Sequence, residues 1–144
     1  MQGNTADGRT LEREAYFLQF AKEIAKHAAM PIMTTGGIVR LAVAQQVIDE
    51  GVDMVGVGRA LAFSPALPNL WKDSPQAQAV LPIVSWKDKT MSALAVMAIT
   101  KRQLQRMGKG KSPKPNSSPF LSLIADQVRL KKLTKVYRNR YENA

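Results

Sequence analysis

A chain of 144 residues can bury one real core, but a complete (β/α)8 barrel takes roughly 250. Its 45% hydrophobic and 22% charged residues are those of an ordinary globular protein, and the lack of cysteine excludes disulfides, thiolate metal sites and a cysteine nucleophile. The net charge of +10 is gathered at one end: residues 1–90 hold nine Lys or Arg and nine Asp or Glu, whereas residues 91–144 hold twelve against two. The first stretch has the charge balance of a compact enzyme, the second that of a basic appendage. No apolar run approaches the roughly 18 residues of a membrane span, and no basic segment followed by an apolar one opens the chain. A cytoplasmic protein is the expectation.

Residues 1–9 are polar and contain glycine, so they read as loop. Thr10 suits an N-cap, with Glu12 and Glu14 near the positive end of the helix dipole. From Leu11 to Ala28, the spacing of Phe17, Ala21, Ile24 and Ala28 predicts an amphipathic helix, which Met30-Pro31 ends. Ile32 to Thr35 reads as a short strand running into Gly36-Gly37. A second helix is predicted over Leu41–Glu50, with Leu41, Ala44, Val47 and Ile48 inward and Gly51 as its left-handed C′ residue. Met54 to Val57 reads as the next strand, ending at Gly58-Arg59. Strand, helix and strand make a βαβ unit, hence an α/β fold with parallel pairing and a right-handed crossover.

Beyond Arg59, Ser64-Pro65, Leu67-Pro68, Ser74-Pro75 and Leu81-Pro82 punctuate a connection that holds short helical turns. Residues 91–107 read as a helix with Ala93, Val96, Met97, Leu104 and Met107 on its apolar side. Residues 108–119 are a basic Gly/Pro/Ser linker, expected to be mobile. Phe120 to Tyr141 is helical in period, with Leu123, Leu130, Leu133, Tyr137 and Tyr141 on one side and Lys131, Lys135 and Arg138 on the other. The expected organisation is therefore 1–90 as one part and 91–144 as a basic helical extension.

The chemistry gathers on two glycine-bearing loops, TTGGI at 34–38 and VGVGRA at 55–60, at the C-terminal ends of consecutive parallel strands. Ligands of parallel α/β structures collect at that end. Gly36 and Gly37 let a backbone approach an anion closely, and Gly58 opens space beside Arg59, whose guanidinium can fork onto one phosphate. Either loop alone reads as well as a tight turn; paired across one βαβ unit they describe a phosphate clamp. Its ligand stays open among sugar phosphates, nucleotides and flavin. Other residues read structurally. His27, the single histidine, sits near a helix end; Trp71 and Trp86 anchor packing; Met33, Met54 and Met97 fit core positions. Glu12, Glu14, Glu23, Asp49 and Glu50 read as solvated helix faces. No catalytic set and no metal-ligand cluster can be assembled.

The run REAYFLQFAKEIAKHAAMPIMTTGGI resembles the stretch from helix six through strand seven of NADH:flavin oxidoreductases of the old yellow enzyme family. VDMVGVGRALAFSPALPNLW resembles their strand eight with its Gly-Arg flavin-phosphate contact, so the likeness covers residues 13–72. WKDKTMSALAVMAITKRQLQRMGKGK resembles the C-terminal extension of a bacterial or fungal subgroup. The resemblance implies the last two strands of an FMN-binding (β/α)8 TIM barrel. Gly36 and Gly37 would meet the FMN phosphate through backbone amides, and Gly58 and Arg59 would complete the clamp. The implied reaction is reduction of FMN by NAD(P)H, then hydride delivery to an electron-poor alkene. The family's carbonyl-holding histidine pair and tyrosine donor come from earlier strands and have no counterpart here, so no catalytic residue is assigned and the chain alone is expected to be inactive. Met1 falls where the family has loop between strand six and helix six, the expectation for a truncated or split product. The expected partners are FMN and either the missing barrel portion or a second copy, with no specific nucleic acid and no membrane. The alternatives are a basic module for nucleic acid or membrane surfaces and an inactive gene remnant.

Overall fold

The computed structural model describes residue 15 and residues 17–141. The sequence expectations for Thr10, Glu12, Glu14 and the start of the first helix lie outside these residues. The chain divides into two compact units, Met1–Leu81 and Pro82–Ala144. The division falls before the predicted 90/91 boundary, because the segment leading into the basic helices belongs with them: the Trp86 amide donates to Ser92 Oγ (3.1 Å).

In the first unit, α1 (Leu18–Ala25), β1 (Met33–Thr35), α2 (Leu41–Asp49) and β2 (Met54–Gly56) follow one another, then two short helices, α3 (Arg59–Phe63) and α4 (Leu67–Asp73). The strands are parallel, with Met33 opposite Met54, Thr34 opposite Val55 and Thr35 opposite Gly56. Ile32 and Asp53 fix this register at its start. The Asp53 carboxylate accepts from the Ile32 amide (2.8 Å), while the amides of Asp53 and Met54 both donate to the Ile32 carbonyl (3.1 and 3.2 Å). Gly51 follows α2 at φ +89°, a left-handed conformation that suits glycine at C′.

The core lies on one face of this two-stranded sheet. Leu18 and Ala21 of α1 pack with Val43, Ala44 and Val47 of α2 and with Ile38 and Val52; Val55 joins them from the sheet. A second cluster of Ala60, Leu67 and Ala79 seats α3 and α4, with Trp71 against it and its indole N–H donating to the Ala77 carbonyl (2.9 Å).

Here several predicted core positions are corrected. Met33 and Met54 are not core residues: they are 60% and 56% exposed. Strand side chains alternate between faces, so Thr34 and Val55 turn toward the helices while Met33 and Met54 share the face that the described residues leave uncovered. Phe17 and Ile24 are likewise exposed; Ala21 of the predicted stripe is buried, with Leu18 beside it in place of Phe17. In α2, Val43 replaces Ile48 on the inner face.

The second unit is a helical hairpin of α5 (Lys89–Met107) and α6 (Pro119–Tyr141). α5 begins two residues before the predicted start because the Asp88 carboxylate caps it, accepting from the amides of Thr90 and Met91 (2.8 and 3.0 Å). Its buried positions are Ser92, Ala95, Val96, Ala98, Ile99 and Gln103, whereas the predicted inner residues Met97 and Leu104 are exposed. Lys101 pairs with Asp126 (2.8 Å) and Arg102 donates to Ser122 Oγ (3.3 Å), so the helices run antiparallel.

The connecting segment is tied to α5 by hydrogen bonds. Gln103 is fully buried beneath it; its side-chain oxygen accepts from the Lys114 amide (2.6 Å) and its nitrogen donates to Ser117 Oγ (3.4 Å). Arg106 donates to the Ser112 carbonyl (2.9 Å). A glutamine one turn before the loop thus adds to the loop's own hydrogen bond from Ser117 Oγ to the Lys114 carbonyl (2.7 Å). Among the described residues, no helix is long and apolar enough to cross a membrane.

Candidate functional site

Parallel pairing sends both glycine loops out of the same edge of the sheet. Because Thr35 lies opposite Gly56, the segments that follow, 36–38 and 57–59, leave side by side. The two motifs that the sequence places 21 residues apart are thereby neighbours.

The first loop turns at two consecutive glycines with φ of 154° and 72° for Gly36 and Gly37, both in the region that a Cβ disfavours. Gly36 is buried and Gly37 is exposed. Ile38, almost wholly buried, plugs the main core directly behind them and fixes where the turn sits. The second loop is held at its far end by Ala60, Ala62 and Phe63, which are buried on α3. Arg59, the first residue of that helix, is exposed, and no carboxylate among the described residues pairs with it.

Gly58 borders open space. A Cβ built there meets no atom of the chain within 4 Å, so no neighbouring side chain fills the space beside Arg59. The more crowded glycine is Gly56. Its Cβ would come within 3.1 Å of Thr35 Cβ, and its carbonyl accepts a hydrogen bond from Thr35 Oγ1 (2.8 Å). This cross-strand tie locks the two loops to each other at their base. Sequence reasoning missed it; a threonine immediately before Gly-Gly and a glycine two residues before Gly-Arg were the available signal.

The arrangement offers backbone from a glycine turn and one guanidinium at a single sheet edge, a donor set suited to an anion such as a phosphate. It offers no group for proton transfer. His27 is exposed beyond the end of α1, and no group of three His, Cys, Asp or Glu suited to a metal is present among the described residues. The perturbed carboxyl lies elsewhere: Glu50, placed by the sequence on a solvated face, instead pairs with Lys22 of α1. The hydrogen bond from Lys22, and then its charge, hold Glu50 below its ordinary value.

No family model matches the chain, and no solved structure matches it. Over 56 residues it is 38% identical to a 4,4'-dithiodibutanoate disulfide reductase of Rhodococcus erythropolis. That stretch is 39% of this chain and 14% of the relative, so the chain matches about one-seventh of the relative's length. Over that part, the chain is similar to an oxidoreductase.

Proposed function

We propose that this chain forms the last two strands of an FMN-binding (β/α)8 barrel of the old yellow enzyme type and supplies its flavin-phosphate clamp. The observation that carries this reading is the in-register placement of the two loops, with two positive-φ glycines in one and exposed Arg59 in the other. The uncovered face bearing Met33 and Met54 supports the barrel, since inward residues of barrel strands alternate with outward ones and pack only when the barrel closes. Similarity to an oxidoreductase supports the class of chemistry.

The residues present fit a phosphate ester. The amides of Gly36 and Gly37 would approach its oxygens where side chains would obstruct, and Arg59 would donate a charge-assisted fork. The Thr35–Gly56 tie would hold both halves at a fixed spacing. When bound, FMN supplies hydride transfer from NAD(P)H to an electron-poor alkene. The relative's name adds disulfide reduction as a parent reaction to assay. This chain's share is to anchor and orient the cofactor, with no catalytic group assigned among the described residues.

The test titrates FMN by fluorescence quenching into a chimera in which this chain replaces the 56-residue stretch it matches in the Rhodococcus relative. Arg59→Ala should weaken FMN by about 10- to 150-fold, the equivalent of roughly 1.5–3 kcal/mol for a lost charge-assisted contact. Arg59→Lys should recover part of that, keeping the charge without the fork. Riboflavin, which lacks the phosphate, should bind all three alike. Unchanged FMN affinity in Arg59→Ala, or an equal loss for riboflavin, removes Arg59 from the clamp.

A further inference from the structure

The second half of α6 leaves bare an apolar stripe that a helix of this pattern would ordinarily bury. Leu130, Leu133, Tyr137 and Tyr141 are 55%, 51%, 63% and 63% exposed. Spacings of three and four residues put them on one face. At 100° per residue, Arg129 and Arg140 border the stripe on one side, Lys131 and Arg138 on the other, with Lys132 and Lys135 opposite. Residues 127–141 thus carry six cations and no acid. Asp126, just before them, is committed to Lys101 at 2.8 Å.

The charge decides what can cover this stripe. A second copy would bring another stripe with the same six cations, and residues 1–90 balance nine positive charges with nine negative ones, leaving no acidic excess. A nucleic acid would satisfy the cations but not the leucines. The tyrosines do not stand as separate base platforms either, since their rings lie against each other, centroids 4.6 Å apart at 37°. One surface offers negative charge and an apolar layer just beneath it.

We propose that Arg129–Tyr141 of α6 is an interfacial helix that lies on an anionic phospholipid surface. Leu130, Leu133, Tyr137 and Tyr141 enter the boundary between headgroups and acyl chains. Arg129, Arg140, Lys131 and Arg138 reach anionic headgroups along both margins, their aliphatic stems lying over the apolar layer. This segment is about 20 Å long, lies flat, and needs no membrane-crossing length. The sequence argued against a membrane span and left a membrane-surface module as an alternative; exposure of the stripe is what favours it.

Co-sedimentation of the full chain at near-physiological salt tests this, comparing phosphatidylcholine vesicles with vesicles in which about one-third of the lipid is phosphatidylglycerol. The wild type should pellet with the anionic vesicles and stay in solution with the neutral ones. Arg129→Gln/Arg140→Gln should weaken partitioning by about 25-fold, each lost cation contributing about fivefold. Leu133→Gln/Tyr137→Gln should weaken it at least tenfold by removing apolar contact, with circular dichroism confirming retained helix (an order-of-magnitude expectation from about 0.8 kcal/mol per buried CH₂). Equal pelleting with neutral vesicles overturns the proposal. So does loss in the arginine variant alone, which marks adsorption by charge, with duplex DNA then competing equally well. A stripe-dependent dimer with no vesicle binding overturns it in favour of a second copy.

Discussion

Glu50 and Lys22 lie 28 residues apart and meet across α1 and α2. Because Lys22 holds the folded-state carboxyl of Glu50 below 4.5, the unfolded chain takes up its proton more readily. The stabilisation is therefore complete above about pH 4.5 and is lost as pH falls through the lowered value. Urea unfolding between pH 6 and pH 3 should show an acid-side loss that shrinks in Glu50→Gln. Carboxyl-carbon NMR should place the Glu50 midpoint below 4.5 in the wild type, and an ordinary midpoint would contradict the pairing. Nothing local in the sequence marks this pair. Gly51, by contrast, was legible from its place after the last periodic residue. With φ +89° and open space around a built Cβ, Gly51→Ala should cost about 1 kcal/mol through backbone strain alone. Gly51→Asn should cost less, because asparagine tolerates the left-handed region.

Among the elements, α2, β1, β2, α5 and α6 were legible to within two residues, because proline, glycine and apolar period mark their ends. Which face each would bury was much less so. The apolar residues of α1 span a wide arc, and only tertiary packing adds Leu18 to the expected Ala21 while leaving Phe17 and Ile24 outside. The candidate loops were readable from their glycines, yet the Thr35–Gly56 tie depends on strand register, which sequence does not print. The contacts of the 108–119 segment were not readable for a related reason: composition reports backbone freedom, while part of its hydrogen bonding comes from Gln103, outside the segment. Gln103→Ala leaves the Lys114 amide without its acceptor and should cost about 1–3 kcal/mol. Limited proteolysis should cut between Gly108 and Ser118 markedly faster in this variant than in the wild type. Equal rates would mean that the loop is already open.

At the scale of the whole molecule, two parallel strands with one covered face leave Met33 and Met54 presented together. Sedimentation velocity should show self-association growing with concentration, and Met33→Gln/Met54→Gln should reduce it. If the proposed role is right, the purified chain with an enone or a disulfide should oxidise NADPH no faster than free FMN does, since no proton donor is assigned among the described residues. Steady turnover above that control would place catalytic groups on this chain after all. The two tryptophans bear on how such a molecule can be followed. Trp71 is tied to Ala77 in the first unit, while Trp86, through its amide, is bonded to Ser92 in the second. Each unit therefore carries one indole emitter. Trp86→Phe leaves a chain whose fluorescence reports only the loop-bearing unit, and Trp71→Phe one that reports only the basic hairpin. Melting curves of the two would resolve whether the halves lose structure together or in sequence.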